Sequence, residues 1–216
     1  MKTKPAQEIF SLVILYNLKK LLSILLFAVL TSFVKVSELV PLNKEYRTQI
    51  FFSSNSSLRI NCKTNINKFY CDFDINKVSD SLEISYSTNG SKLDFSKASL
   101  ILPNLFFNCG GRQINKDFHA LLKTEEFPEI QLTLINLSFL EKDACNAIVT
   151  VDIEICDIIK TYKIPVTINT DNSINVAGKL PIDILDFSLE PPTKVLGMIK
   201  VSNEIEIEFH LNINIC

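Results

Sequence analysis

From Tyr46 onward the chain is a succession of short runs in which apolar and polar residues alternate, separated by clusters of Asn, Ser, Asp, Gly and Pro. The longest such run is 203-NEIEIEFHLNINI-215, with Ile205, Ile207, Phe209, Leu211, Ile213 and Ile215 on one parity and Glu204, Glu206, Glu208, His210, Asn212 and Asn214 on the other. A period of two places alternate side chains on opposite faces of a pleated strand. The pattern predicts strands over residues 48–53, 57–64, 69–75, 81–87, 93–102, 129–140, 146–156, 158–168, 173–184 and 195–213. Asp171-Asn172 supplies one of the short turns that antiparallel neighbours need. One segment has a different period. Ile114, Phe118, Leu121 and Leu122 recur at spacings of three and four within 114-INKDFHALLKTEEF-127, which predicts a short helix capped by Asn115 or Asp117 and stopped by Pro128. A single helix among this many strands points to an all-β domain, a barrel or sandwich carrying a plug or lid. The alternation leaves open what the apolar face meets: a packed core, a lipid bilayer or a cavity.

The N-terminal region has no such alternation. Lys19 and Lys20 precede 21-LLSILLFAVLTSFV-34, an apolar run too short for the roughly 20 residues of a spanning helix and of the length of a signal-peptide core. Residues 1–37 are therefore read as a secretory signal, with an uncleaved anchor as the alternative, and 38–216 as one domain. Removing 1–37 takes five lysines and one glutamate from totals of 22 basic and 24 acidic residues, leaving 17 and 23. A mature chain with that acidic excess has no electrostatic footprint for nucleic acid. Export also changes the meaning of the six cysteines, Cys62, Cys71, Cys109, Cys145, Cys156 and Cys216. In an oxidising compartment they allow up to three disulfides, and their spacing does not choose among the pairings.

Candidate chemistry is sparse. The sequence contains no G-x-S-x-G, no phosphate-binding glycine loop and no H-E-x-x-H. His119 and His210 are its two histidines; the first falls on the far side of the predicted helix from its apolar stripe, the second on the polar parity of a strand. Gly110-Gly111 reads as a tight turn into the helix rather than an anion-binding nest. Glu204, Glu206 and Glu208 read as a solvated strand face, because calcium sites gather oxygens from a turning loop. No catalytic residue, metal or cofactor is assigned, and the chain is read as a protein other than an enzyme.

Three segments, in order, resemble the YceI-like family. The stretch 57-SLRINCKTNINKFYCDFD-74 is similar to its first hairpin. Residues 117-DFHALLKTEEFPEIQLTL-134 resemble its short helix and aromatic-Pro strand start, and 186-DFSLEPPTKVLGMIKVSNEIEIEFHL-211 its closing hairpin. The resemblance implies an extended antiparallel eight-stranded lipocalin-like barrel with one short inserted helix. It also implies an exported, periplasmic or secreted protein of the bacterial envelope that binds a polyisoprenoid or other long-chain apolar ligand. The departures fall around His119–Lys123 and Cys62, at the expected head-group end.

On that reading the apolar parity and the helix stripe supply the ligand-binding lumen: Phe69, Phe73, Phe95, Phe118, Leu121, Leu122, Ile130, Leu132, Ile205, Ile207, Phe209 and Leu211. For each of them the competing account is plain core packing. Two other functions compete with the carrier: a ligand-free module for envelope stress or surface interaction, and a small transmembrane β-barrel with its faces reversed. The oligomeric state is left open, a homodimer included.

Overall fold

The computed structural model describes residues 44–78, 81–140, 143–170, 173–194 and 198–215. They belong to a compact unit spanning residues 43–216. The expected signal segment, the Asp171-Asn172 turn and Cys216 lie outside the described residues.

The predicted strands exist, and two of them are broken where their alternation slips. In chain order they are β1 (Glu45–Phe52), β2 (Ser57–Lys63), β3 (Lys68–Phe73), β4 (Leu82–Asn89), β5 (Lys92–Lys97), β6 (Ser99–Pro103), β7 (Phe107–Asn108), β8 (Glu129–Leu140), β9 (Asp143–Ile155), β10 (Ile158–Asn169), β11 (Ile174–Asp183), β12 (Thr193–Lys194), β13 (Ile199–Lys200) and β14 (Glu204–Ile215). Helix α1 (Arg112–Leu121) lies between β7 and β8. Eight strands form a ring in the order β1-β4-β5-β8-β9-β10-β11-β14, closed by antiparallel pairing of β14 with β1. Closure removes the open edges that a flat sheet would expose.

Local breaks in the alternation decide where the wall bends. In 129-EIQLTLINLSFL-140 the inward parity is even through Leu134 and odd from Leu137, and a bulge between Leu134 and Asn136 absorbs the extra residue. The predicted strand 93–102 divides into β5 and β6 at Ala98, where inward positions change from Leu93 and Phe95 to Leu100 and Leu102. The predicted strand 195–213 is shorter than its sequence suggested: β14 starts at Glu204, and Ser202 and Asn203 form a corner that returns Asp183 and Glu204 to register. Between β1 and β2 the ladder to β14 is interrupted, and Ser56 spans the interruption. Its hydroxyl accepts from the Asn212 N–H at 2.8 Å, so a buried serine satisfies the backbone donor that the break would orphan, while the Asn212 carbonyl accepts from the Ser53 N–H at 2.8 Å and from the same hydroxyl at 3.2 Å.

Strand-to-strand turns follow ordinary chemistry. Cys156 and Asp157, at φ +50° and +62°, make the two-residue turn of left-handed residues that matches the twist of a hairpin. The helix start differs from the expectation. Gly111 is the N-cap, and Asn115 lies inside the helix with its side-chain carbonyl accepting from the Cys109 N–H at 2.7 Å. Gly110, at φ +83°, provides the turn into it. The helix also stops at Leu121, before the predicted end, because Lys123 adopts φ +48° and the chain turns back to Pro128. Asn104, fully buried, secures that return by donating its amide N–H to the Phe127 carbonyl at 2.8 Å and to Thr124 Oγ1 at 3.3 Å.

Candidate functional site

The inward parity of the barrel encloses an elongated cavity of about 820 Å3. Each strand contributes through the same alternation. In β10, for example, Ile164, Val166 and Ile168 are buried while Lys163, Pro165 and Thr167 are exposed. Apolar residues face inward and charged residues outward, the reverse of the arrangement a transmembrane barrel requires. Among the described residues, no helix is long and apolar enough to cross a membrane.

Phe69, Phe95, Phe118, Leu121, Leu122, Ile130, Leu132, Ile205, Ile207, Phe209 and Leu211 all border the cavity. Phe73 does not. It shares the inward face of β3 with Phe69, but four residues of strand rise carry it past the lumen, where its ring packs edge-on against Phe107 at 4.9 Å. Phe107 in turn meets Phe118 of α1 at 5.3 Å. This aromatic chain, with the Cys71–Cys109 disulfide beside it, fastens the helix to β3. Ile114, Asp117, Phe118 and Leu121 are the face that α1 turns to the lumen. We call this the helix end; the other end carries the β4–β5, β8–β9 and β10–β11 connections.

Two inward positions were not singled out in the sequence. Tyr86 shares the apolar parity of 81-SLEISYS-87 with Leu82 and Ile84; it borders the cavity with them and stacks on Tyr46 with ring centroids 5.4 Å apart. Gly178 occupies an inward position of β11 between Val176 and Leu180, and the ring of Phe209, its cross-strand partner, fills the space a side chain would take. A Cβ there would lie 2.6 Å from Phe209 Cζ and 3.1 Å from Val166 Cγ1. Only the strand pairing brings these three residues together.

Cys62 places a free thiol in the lumen wall. Burial pushes its thiol up to about 11, because a thiolate would lose its hydration in an apolar surrounding. Two outcomes are expected. At pH 8.5, alkylation with iodoacetamide followed by peptide mass mapping should modify Cys62 only after denaturation. Stability should also fall between about pH 9 and 11, where the unfolded thiol ionises and the folded one retains its proton, and this part of the decline should vanish in Cys62→Ala. Labelling of the folded protein at the rate of a free thiol would show that Cys62 is not enclosed.

Outside the barrel the polar parity is knitted across strands. Lys179 reaches Glu208 at 3.1 Å and Glu206 at 3.5 Å, and its hydrogen bond holds the Glu208 carboxyl below its ordinary range. The glutamate face of β14 is thus occupied by an ion-pair ladder. Arg59 grips Asp72 with two bonds of 2.6 and 3.0 Å and lies over the Tyr70 ring at 4.0 Å. His210 is exposed on this surface, 3.8 Å from Glu208. His119 is half-buried rather than solvated, with Nε2 enclosed and its ring near Phe118.

The closed ring of eight antiparallel strands, plugged by one helix and hollow along an apolar axis, defines a lipocalin-like barrel. The YceI-like domain model matches residues 52–213, and the chain belongs to that family. Among solved structures, BcnA from Burkholderia cenocepacia is similar at 17% identity, with a TM-score of 0.57, over 74% of this chain and 96% of that one. A polyisoprenoid binding domain from Saccharophagus degradans is similar at 14% identity, with a TM-score of 0.54, over 78% of this chain and 99% of that one. At such identities the likeness is one of fold. No curated protein matches the chain.

Proposed function

We propose that this protein is an exported carrier that holds a long apolar molecule, a polyisoprenoid or a lipid of similar shape, in the barrel lumen. The observation that carries the reading is the cavity itself: about 820 Å3, elongated and bordered almost throughout by Ile, Leu, Val and Phe. Each 100 Å2 of ligand surface moved from water to such a wall contributes about 2.5 kcal/mol, so affinity for an isoprenoid chain needs no special polar residue. The S. degradans relative of the same fold is a polyisoprenoid binding domain, which supports the ligand class. Export draws support from the Cys71–Cys109 disulfide, since such bonds persist in oxidising compartments, and from the basic-apolar pattern of residues 19–34.

The test is native mass spectrometry of the protein isolated from a cell envelope, followed by organic extraction. A stoichiometric prenyl or long-chain lipid is expected in the wild type. Leu132→Trp and Ile207→Trp, which narrow the lumen, should give folded protein with less of it. A protein that arrives empty and does not take up added polyprenol or prenyl quinone would overturn the carrier.

A further inference from the structure

The helix end of the barrel carries a second surface. The β2–β3 turn is fastened to the segment around β13 by backbone and side-chain bonds: Asn65 Nδ2 donates to the Met198 carbonyl at 2.9 Å, the Lys200 N–H to Asn65 Oδ1 at 3.0 Å, and the Ser202 N–H to the Lys63 carbonyl at 2.8 Å. These bonds hold two loops as one projection and leave the tips in solvent, with Ile66 and Met198 each 69% exposed. Ile114 on α1 is 39% exposed. Ile66 and Ile114 also border the cavity, as do Ile199 and Val201, so the exposed apolar tips form the rim of a lumen mouth. Large apolar side chains on fixed, protruding loops stay out of water only against another apolar phase.

Charge identifies that phase. The two joined loops, residues 63–68 and 198–203, carry Lys63, Lys68 and Lys200 and no acidic residue, whereas the flanking segments 112–126 and 183–190 hold Arg112, Lys116 and Lys123 against Asp117, Glu125, Glu126, Asp183, Asp186 and Glu190. All three lysines are exposed, in a chain whose overall formal charge is −2. A basic patch behind apolar tips matches an anionic bilayer, where headgroup phosphates attract the lysines and the tips reach the acyl boundary.

We propose that the helix-end mouth docks on the surface of an anionic lipid bilayer through Ile66, Met198 and Ile114, with Lys63, Lys68 and Lys200 as the electrostatic contact. Docking stands on the rim alone. The exchange it would serve, passage of an apolar molecule between bilayer and lumen without crossing water, rests on the carrier reading above.

The chain contains no tryptophan, so a single indole reports its own surroundings in the full-length protein whatever the N-terminal residues do. In Ile66→Trp and Met198→Trp, vesicles of phosphatidylcholine with phosphatidylglycerol should shift emission to the blue, and lipids brominated in the acyl chains should quench it. Adding Lys63→Glu, Lys68→Glu and Lys200→Glu should weaken the shift at least about 100-fold in lipid concentration, at about five-fold per lost cation. High salt should do the same. Emission that ignores anionic vesicles, or a shift that appears with rising protein concentration alone, overturns the proposal; the latter would mean a second copy covers the rim. So would insertion reported from the opposite end by Leu140→Trp instead. Lipid co-purifying with a protein whose rim stays in water would leave the carrier intact and remove only the docking.

Discussion

Phe209→Ala is expected to lower the unfolding free energy by about 3 kcal/mol, at the lower end of the range for a core phenylalanine, because one face of the ring borders the lumen. The tip of the ring lies on Gly178, and that contact gives the experiment its discriminating arm. With Phe209 present, Gly178→Ala places a methyl 2.6 Å from Cζ and should destabilise by about 1 to 2 kcal/mol. With Phe209→Ala already made, the tightest contact is gone and only Val166 Cγ1 at 3.1 Å remains, so Gly178→Ala should cost about 1 kcal/mol less than it does with Phe209 present. Urea titrations of the four proteins of this cycle decide the matter. Additive effects would mean that the ring does not rest on Gly178.

Reducing the Cys71–Cys109 disulfide is expected to lower stability by about 3 to 4 kcal/mol, the loop-closure value for a sequence separation of 38 residues. Both sulfurs are buried, at 0% and 3% exposure, beside the Phe73–Phe107–Phe118 stack. Loss of the bond therefore also frees the hinge from which the helix plugs the lumen. Unfolding midpoints with and without a dithiol should differ in the wild type and coincide in the Cys71→Ala, Cys109→Ala double variant. An unchanged wild-type midpoint would show that the bond does not form in the protein.

What the sequence made legible was whatever period alone can encode. Alternation located the long strands β8, β10, β11 and β14 and put Phe209, Ile207 and Leu132 on the correct face. The three-and-four spacing located the helix and its lumen-facing stripe. Features that arise from pairing between distant strands were not legible. Nothing local marks Gly178, because the ring that covers it, Phe209, comes from the paired strand β14. Phe73 had the right parity and lay too far along its strand. Asn115 looked like a cap, yet its partner, the Cys109 N–H, lies before the helix begins. Cysteine spacing could not choose a bridge between β3 and the turn into α1, because β7 pairs with β3 only through the tertiary fold.

Strand β14 pairs with β11 on one side and with both β1 and β2 on the other, and Ser56 and Asn212, which bond each other across the break, are 156 residues apart in the chain. Ring closure thus joins the earliest strands of the barrel to the last one synthesised. Until β14 emerges, β11 and the β1–β2 edge both have open backbone groups, and the apolar faces of all the intervening strands remain accessible to water and to other chains. Such non-local pairing makes for slow acquisition of the native state and for a long interval of aggregation risk. A truncation that removes β14 should leave an open sheet rather than a smaller barrel.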